Sequence, residues 1–245
     1  MSSDDSYVKA LQIDKDIAVD YYQRSLTHKS EQMQFLESLL AKEAIKPKHI
    51  ADICCGSGAF AKQLGNIYPN ATFALADLNP EAISIAKSNV SHLNASLEIA
   101  SIYELPLASD TYDLVICWQS LLDLERPSDA LLSLVRICKP NGKIVVCSLF
   151  NFDFDVDIYA QVHDHTRASS REGIALAYNT ISLFSVRRWL EGQVSRLEAH
   201  PFSIGIDLQR KGRGLGTFTV RTEDGKRFQV SGGMLMNWGI LIITK

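Results

Sequence analysis

Apolar residues recur along the middle of the chain in short runs that alternate with helical spacings. The short runs are almost continuously apolar, which is typical of buried strands. Between consecutive runs, apolar residues return every three or four positions, which is typical of amphipathic helices. The predicted strands are residues 49–54, 71–76, 97–100, 114–117 and 144–149.

Cap and turn residues mark where the predicted helices begin and where the chain reverses. Asn79 is suited to cap one helix, with Pro80 at its first position, and Ser128 is suited to cap another. The tripeptide Pro140-Asn141-Gly142 predicts a turn. Helical spacing covers residues 27–42, 58–67, 83–90 and 131–138. Strands that alternate with helices predict βαβ units, so we expect a doubly wound α/β fold with a mainly parallel sheet covered on both faces.

The chain changes character after residue 149. Residues 150–180 lack clear periodicity and exceed the length of an ordinary connection, which predicts an insertion that shapes a substrate site. A short helix is expected over 185–191, because Gly192 is suited to end it.

The last part of the chain returns to strand patterns. Residues 217–221 and 227–230 alternate on either side of Glu223-Asp224-Gly225, which predicts a hairpin. Residues 239–244 are apolar and predict a closing strand.

Composition places the chain among ordinary globular proteins. Of its 245 residues 46% are hydrophobic and 22% charged, which excludes disordered, fibrous and coiled-coil classes. The net charge of −3 disfavours a polyanionic partner. Five cysteines lie in apolar runs without metal-site spacing, which indicates a reducing compartment. The polar start and the shortness of the apolar stretch 232–244 predict a cytoplasmic protein without membrane insertion.

A glycine-containing loop follows the first predicted strand. Its sequence is Asp52-Ile53-Cys54-Cys55-Gly56-Ser57-Gly58, and its glycines allow a tight turn in which a ligand lies against backbone N–H groups at a helix start. Asp77 ends the second predicted strand, where a carboxylate can accept hydrogen bonds from ribose hydroxyls. With Ala61, the two glycines also satisfy the dinucleotide pattern G-x-G-x-x-A. The combination favours a nucleotide-type cofactor, and a plain structural turn is the alternative.

This loop resembles the first motif of the class I S-adenosylmethionine-dependent methyltransferases, of the type 11 and 12 kind. That motif is an acidic residue closing the first strand and then a glycine loop, and Asp52, Gly56 and Gly58 match it. Cys54 stands where a glycine is commoner. Nicotinamide-binding strands usually stay apolar up to the first glycine, so Asp52 disfavours an oxidoreductase. Similar segments follow at 101–106, 110–115, 117–119 and 139–143.

The resemblance covers about residues 48–150 and implies the architecture. It implies a Rossmann-like methyltransferase sheet that is mainly parallel with an antiparallel last strand, an insertion after the fifth strand and an extra C-terminal hairpin. We accordingly divide the chain into an N-terminal helical arm or lid, 1–46, and a methyltransferase domain, 47–245. The insertion is then 150–181 and the hairpin region 205–232.

The resemblance also implies how S-adenosylmethionine, and its product S-adenosylhomocysteine, would be held. Asp77 would bind the ribose, Leu78 and Ile102 would enclose the adenine, and Ser101 stands where an acidic residue often reaches the adenine amine. Tyr22 and Arg24 would close over the amino-acid end, or form an ordinary surface arm. The expected cofactor contacts are Tyr22, Arg24, Asp52, Cys54, Gly56, Gly58, Asp77, Leu78, Ser101, Ile102, Tyr103, Cys117 and Trp118.

The insertion supplies the candidate catalytic residues. His163 and His165 are suited to take a proton from an acceptor near neutral pH. Asp153, Asp155 and Asp157 would orient an imidazole. Exposed polar residues on a loop, or a divalent metal site, are the alternatives, and we predict no metal.

The expected function is methyl transfer to a small-molecule or sugar-containing acceptor, such as a surface-polysaccharide or secondary-metabolite precursor, at oxygen or nitrogen. A tRNA or other nucleic-acid methyltransferase and a non-catalytic cofactor-binding module are the alternatives. The cluster Arg210-Lys211-Arg213 is either a solvated loop or an edge that receives an anionic acceptor. The oligomeric state stays open, with a homodimer among the options.

Overall fold

The computed structural model describes residues 26, 29–43, 45–165, 174–210 and 215–245. Its strands are β1 (His49–Ile53), β2 (Thr72–Asp77), β3 (Asn94–Ile99), β4 (Tyr112–Trp118), β5 (Cys138–Asn151), β6 (Gln161–Asp164), β7 (Ile174–Ala177), β8 (Ile181–Ser182), β9 (Arg196–Pro201), β10 (Phe218–Arg221), β11 (Arg227–Ser231), β12 (Met234–Leu235) and β13 (Trp238–Thr244). Its helices are α1 (Glu31–Glu43), α2 (Ala59–Ile67), α3 (Pro80–Asn89), α4 (Pro127–Ile137) and α5 (Leu183–Trp189). Two 3-10 turns, Ile102–Glu104 and Leu121–Asp123, follow β3 and β4.

The main sheet has the order β3-β2-β1-β4-β5-β13-β9, and β8 pairs with the end of β5. Strands β1 to β5 are parallel to one another, whereas β13 is antiparallel to both β5 and β9. This confirms the doubly wound, Rossmann-like sheet with an antiparallel last strand. From β1 the chain continues to β2 and β3 on one side, while β4 and β5 lie on the other. The strand order therefore reverses between β1 and β4.

Alternate residues of the central strands face two separate cores. Ile50 and Leu114 pack with α1, α2 and α3 on one face of the sheet. Ala51 and Val115 pack with α4 and α5 on the other face. Both faces are buried, which explains why the strands are apolar runs without alternation.

The predicted caps and turns have different outcomes. The prediction for Asn79 is confirmed, because its side chain accepts a hydrogen bond from the Glu81 backbone at the start of α3. The prediction that Ser128 caps a helix is wrong, because α4 begins at Pro127 and Ser128 lies inside its first turn. Proline is suited to that first position because its φ is already helical. The predicted turn at 140–142 is a bulge in β5, with Asn141 at a φ of 64°.

Two small sheets are added at the carboxyl ends of the parallel strands. β6 and β7 form an antiparallel hairpin within the predicted insertion. β10, β11 and β12 form a three-stranded antiparallel sheet, which confirms the predicted hairpin and adds a strand to it. The added sheets lie at this edge because the insertion leaves the end of β5, and β10 to β12 connect the end of β9 to the start of β13. No helix among the described residues is long and apolar enough to cross a membrane.

Candidate active site

The reversal of strand order places a crevice between the carboxyl ends of β1 and β4. Ile53 and Cys117 are register partners near the ends of these two strands. In doubly wound sheets, ligands bind in such a crevice because the connections leave it in opposite directions. The predicted glycine loop and the residues that follow Trp118 border this crevice.

The loop after β1 turns through three residues with left-handed backbone angles. Cys54, Gly56 and Gly58 have φ of 58°, 53° and 70°. A β-carbon on Gly58 would lie 3.1 Å from Val90 Cγ1 and 3.2 Å from Ala86 Cβ. Glycine is therefore required at position 58, because the backbone angle is left-handed and α3 approaches closely. Gly58 contributes to ligand binding by positioning the loop.

Asp77 at the end of β2 holds the loop in place. Its Oδ2 accepts a hydrogen bond from the Gly56 backbone N–H at 2.8 Å, and its Oδ1 accepts one from Asn79 at 2.9 Å. Burial raises the pKa of this carboxyl, although these hydrogen bonds oppose the shift. Each carboxylate oxygen can accept a further bond, so the half-buried side chain can still bind two ribose hydroxyls.

Asp52 lies deeper, behind the same loop. Its side chain is buried, and its Oδ2 has no hydrogen-bond partner among the described residues. Burial raises the pKa of Asp52 to about 7, the Ala61 backbone N–H opposes the rise, and the nearby Asp77 adds to it. A cationic ligand in the crevice would favour the charged form of this carboxyl.

The 3-10 turn Ile102–Glu104 follows the carboxyl end of β3, at the same edge of the sheet as the glycine loop. Ser101 caps this turn, since its hydroxyl accepts a hydrogen bond from the Tyr103 backbone. Ile102 is buried, whereas Leu78 is half-exposed. The Arg126 guanidinium lies 4.0 Å from the centre of the Tyr103 ring, and the Tyr103 hydroxyl accepts a hydrogen bond from the Arg126 backbone.

The end of β4 contributes one exposed aromatic ring and one hidden thiol. The half-exposed Trp118 packs on Phe60 of α2, with the ring centres 4.7 Å apart. Cys117 is fully buried, and its thiol is the largest cause that raises the pKa of Cys54, with burial the next. Cys117 is 0% exposed, and its predicted contact with a cofactor stays a prediction.

The comparisons with known proteins agree with this geometry. A family model for a methyltransferase domain matches residues 50–142. A malonyl-[acyl-carrier protein] O-methyltransferase of Halalkalibacterium halodurans is 25% identical over 190 residues, which are 74% of this chain and 68% of the relative. The mitochondrial ubiquinone biosynthesis O-methyltransferase of Schizosaccharomyces pombe is 32% identical over 125 residues, 49% of this chain and 45% of the relative. These matches support the predicted class I S-adenosylmethionine-dependent methyltransferase.

Solved structures of methyltransferases share the fold. A chain of the complex between the Haloferax volcanii Trm112 methyltransferase activator and a methyltransferase superposes with a TM-score of 0.62 at 14% identity, covering 99% of this chain and 97% of that chain. An S-adenosylmethionine-dependent methyltransferase from Thermotoga maritima superposes with a TM-score of 0.56 at 13% identity, covering 96% and 99%. The chain spans less than half the length of the ubiquinone biosynthesis O-methyltransferase.

S-adenosylmethionine is the cofactor of this methyltransferase, and the crevice residues fit it. Asp77 can bind the ribose, and the unpartnered Oδ2 of Asp52 is suited to the positive charge of the sulfonium and ammonium groups. Leu78 and Tyr103 are accessible to adenine, while Ile102 supports them from the core. The predicted contacts of Tyr22 and Arg24 lie outside the described residues.

The predicted catalytic histidines lie on the β6–β7 hairpin. His163 and His165 are both exposed, and their rings stack with centres 6.2 Å apart. Strand β7 lies against the 3-10 turn Leu121–Asp123 that follows β4. The insertion therefore reaches the carboxyl end of the strand that borders the crevice.

Asp157 has a structural role that differs from the predicted one. Its Oδ1 accepts a hydrogen bond from the Ser182 backbone at 2.7 Å and its Oδ2 one from the Ser185 hydroxyl at 2.5 Å. Burial acts to raise the pKa of Asp157, yet these bonds hold it below its usual value. It fastens the insertion to the start of α5. The orientation of an imidazole by Asp157 stays a prediction. Among the described residues, no three His, Cys, Asp or Glu side chains are grouped for a metal.

Three polar side chains near the crevice were missed by the sequence patterns. Asp123 is half-buried, and its carboxylate has no hydrogen-bond or ion-pair partner in the described part of the chain. Burial raises the pKa of Asp123 to about 8. The Gln119 amide donates a hydrogen bond to Gln32 of α1, while the buried Nε2 of Gln32 lacks a described partner.

A sequence signal existed for one of these residues. Asp123 follows β4, so the carboxyl-end rule for open α/β sheets places it beside the ligand crevice. Gln32 and Gln119 are 87 positions apart and meet only because α1 packs over the crevice. Gln119 has a φ of 58°, which is uncommon for a residue other than glycine and marks it as a candidate site residue.

Proposed function

We propose that this methyltransferase transfers a methyl group to an oxygen atom of a small-molecule acceptor, and that Asp123 takes the acceptor proton. The proposal depends on one observation: Asp123 is a half-buried carboxyl without a described side-chain partner, in the 3-10 turn that follows β4. The bound cofactor supplies an activated methyl group. The chain's own residues must therefore hold the acceptor in line and remove its proton.

The surroundings of Asp123 support this role. The Asn179 backbone donates a hydrogen bond to the Leu122 carbonyl at 2.8 Å, and the Asn179 amide donates one to the Leu124 carbonyl at 2.7 Å. These bonds fix the turn on both sides of Asp123. The insertion thereby becomes the wall that positions the base and covers the acceptor.

The relatives favour oxygen as the methylated atom. Their names describe O-methyltransferases of a carrier-bound malonyl group and of ubiquinone biosynthesis. A sugar hydroxyl of a polysaccharide or secondary-metabolite precursor needs the same proton removal, so such acceptors stay within the proposal.

The residues near the crevice are less consistent with the two other hypotheses, a nucleic-acid methyltransferase and a non-catalytic binding module. A nucleic-acid acceptor is disfavoured because Asp77 and Asp123 lie close to the crevice itself, where they would repel the phosphates of an entering strand, whereas the exposed Arg210 lies beside the added sheet β10–β12. A non-catalytic binding module would have no use for a half-buried carboxyl beside the crevice. His163 and His165 are the second candidate bases, and Tyr22 and Arg24 stay candidates for covering the cofactor.

The test compares Asp123→Asn with Asp129→Asn, an exposed carboxylate on α4. Hydroxyl-bearing small molecules are screened for transfer of labelled methyl from S-adenosylmethionine. On the acceptor found, we expect Asp123→Asn to lower kcat about 10²–10⁴-fold, with little change in S-adenosylhomocysteine affinity. In the unmodified protein, kcat should rise with pH up to about pH 8, because the carboxyl acts as a base only when deprotonated.

Variants of the histidines complete the test. A full loss of kcat in His163→Ala or His165→Ala with an active Asp123→Asn variant would assign the base to the hairpin. Full activity in all three variants would indicate that none of these side chains acts as a base and that the enzyme only aligns the acceptor with the methyl group. Either result would refute the role of Asp123.

A further inference from the structure

The three-stranded sheet β10–β12 has one apolar face. Register pairs join Phe218 to Val230, Val220 to Phe228, and Val230 to Leu235. Because cross-strand partners project to the same side and side chains alternate along a strand, these five residues share one face. We call this the outer face, formed by Phe218, Val220, Phe228, Val230 and Leu235.

The outer face is the exposed side of this sheet. Val220, Phe228 and Leu235 are 44%, 41% and 54% exposed. On the opposite side, Ser231 is buried and accepts a hydrogen bond from the Gly216 backbone. A soluble sheet normally turns its apolar side toward the body of the protein. The arrangement is reversed here, which indicates that the outer face meets something apolar.

Neither edge of this sheet is suited to pair with a further strand. Along β10, the Thr219 backbone N–H donates to the Leu208 carbonyl, and the Leu208 N–H donates to the Thr219 hydroxyl at 2.9 Å. At the other edge β12 has only two residues. An occupant therefore has to bind through the face and not by adding a strand.

The charge around the outer face is positive. Residues 205–235 contain six Lys or Arg and three Asp or Glu, whereas the whole chain has 25 and 28. Asp207 forms ion pairs with both Arg221 and Arg227 at the edge of the sheet, and its single negative charge offsets one of their two positive charges. Arg210 is exposed, lies 5.5 Å from the centre of the Phe218 ring and pairs with no carboxylate among the described residues. Lys211 and Arg213, next to it in the sequence, lie outside those residues.

We propose that the outer face docks on an anionic lipid bilayer, with its apolar side chains entering the interface and Arg210 beside the acidic headgroups. Exposed apolar side chains next to basic residues are the combination that binds such surfaces. The sheet lies at the same edge as the crevice, so docking would bring the active site to the bilayer surface. The proposal does not depend on the acceptor, because its test measures lipid binding.

The experiment is co-sedimentation of the full chain with vesicles of phosphatidylcholine, with or without phosphatidylglycerol. We expect binding to the vesicles that contain phosphatidylglycerol, weakened by salt. A Val220→Asp/Phe228→Asp double variant should bind about tenfold more weakly or not at all, and Arg210→Gln about fivefold more weakly. Ile67→Asp is the matched control, because Ile67 is 40% exposed at the end of α2.

Two further measurements keep the result interpretable. Calorimetry with S-adenosylhomocysteine should give the same affinity for the variants as for the unmodified chain, which shows that they are folded. If the double variant loses its affinity for S-adenosylhomocysteine, Phe228→Leu replaces it. This variant keeps an apolar side chain and should still bind the vesicles. No binding to either vesicle, or equal binding by the double variant and Ile67→Asp, would overturn the proposal. Sedimentation showing a dimer that the double variant abolishes, without vesicle binding, would assign the face to a second copy.

Discussion

At the scale of single residues, the loop after β1 has a cysteine at a backbone angle that favours glycine. Cys54 has a φ of 58°, which costs a residue with a β-carbon about 1–2 kcal/mol. The neighbouring Cys117 thiol and burial hold the pKa of Cys54 well above its usual value. The angle also explains why glycine is commoner at this position.

We expect Cys54→Gly to change the free energy of unfolding by less than about 1 kcal/mol, because the relieved angle offsets the lost thiol contact. Cys54→Val should lower it by about 1–3 kcal/mol, because a β-branched side chain fits this angle poorly. Urea unfolding measures both values. Equal stability of the Val and Gly variants would show that the angle is not maintained.

At the scale of elements, the sequence predicts what the local pattern controls. Strands β1, β2, β4 and β5 are found because both of their faces are buried, and the cap of α3 because it is a local hydrogen bond. Strands β6, β7, β8 and β12 are missed because they are short and pair through contacts set by the rest of the fold. Ser128 is misassigned because a proline one position earlier starts the helix.

The same division holds for the site. Asp52, Gly56 and Asp77 are predicted because their spacing belongs to one βαβ unit. The pairing of Gln32 with Gln119 depends on how α1 packs, which no local pattern records. The burial of the Asp123 carboxyl likewise depends on the insertion that packs on its turn, and no local pattern predicts it.

The attachment of the insertion to the turn after β4 gives a prediction at this scale. Asn179→Ala removes the hydrogen bond to the Leu124 carbonyl and should cost about 1–3 kcal/mol, since that group is left without its partner. Hydrogen exchange at residues 121–124 should speed up, and the KM for the acceptor should rise more than that for the cofactor. Asn66→Ala, an exposed residue on α2, is the control. Unchanged exchange in Asn179→Ala would contradict the attachment.

At the scale of the whole molecule, buried carboxyls make stability depend on pH. Burial raises the pKa of Asp52 to about 7 and that of Asp123 to about 8. The folded protein therefore binds protons that the unfolded chain has already lost above about pH 4. Stability should fall as the pH rises from about 4 to about 8, and stay low above that range. Carboxyls with a lowered pKa, such as Asp157, have the opposite effect: the stability they contribute is lost only as the pH falls below about 4.

Urea unfolding of the cofactor-free protein at several pH values tests this dependence. We expect the free energy of unfolding to fall by about 1–3 kcal/mol between pH 5 and pH 8. Asp52→Asn and Asp123→Asn should each reduce the loss. Added S-adenosylmethionine should also reduce it, because its positive charge stabilises the ionised carboxyl of Asp52. Stability that rises with pH across this range would contradict the proton linkage.

The central claim is that the crevice between β1 and β4 holds S-adenosylmethionine through Asp77. Calorimetry of S-adenosylhomocysteine binding to the full chain tests it most directly, with Asp77→Asn as the variant and Asp129→Asn as the control. We expect a micromolar or tighter dissociation constant, a loss of at least about tenfold (about 1.4 kcal/mol) in Asp77→Asn, no loss in Asp129→Asn, and no binding of NADH. Tight binding of NADH with no binding of S-adenosylhomocysteine would contradict the claim.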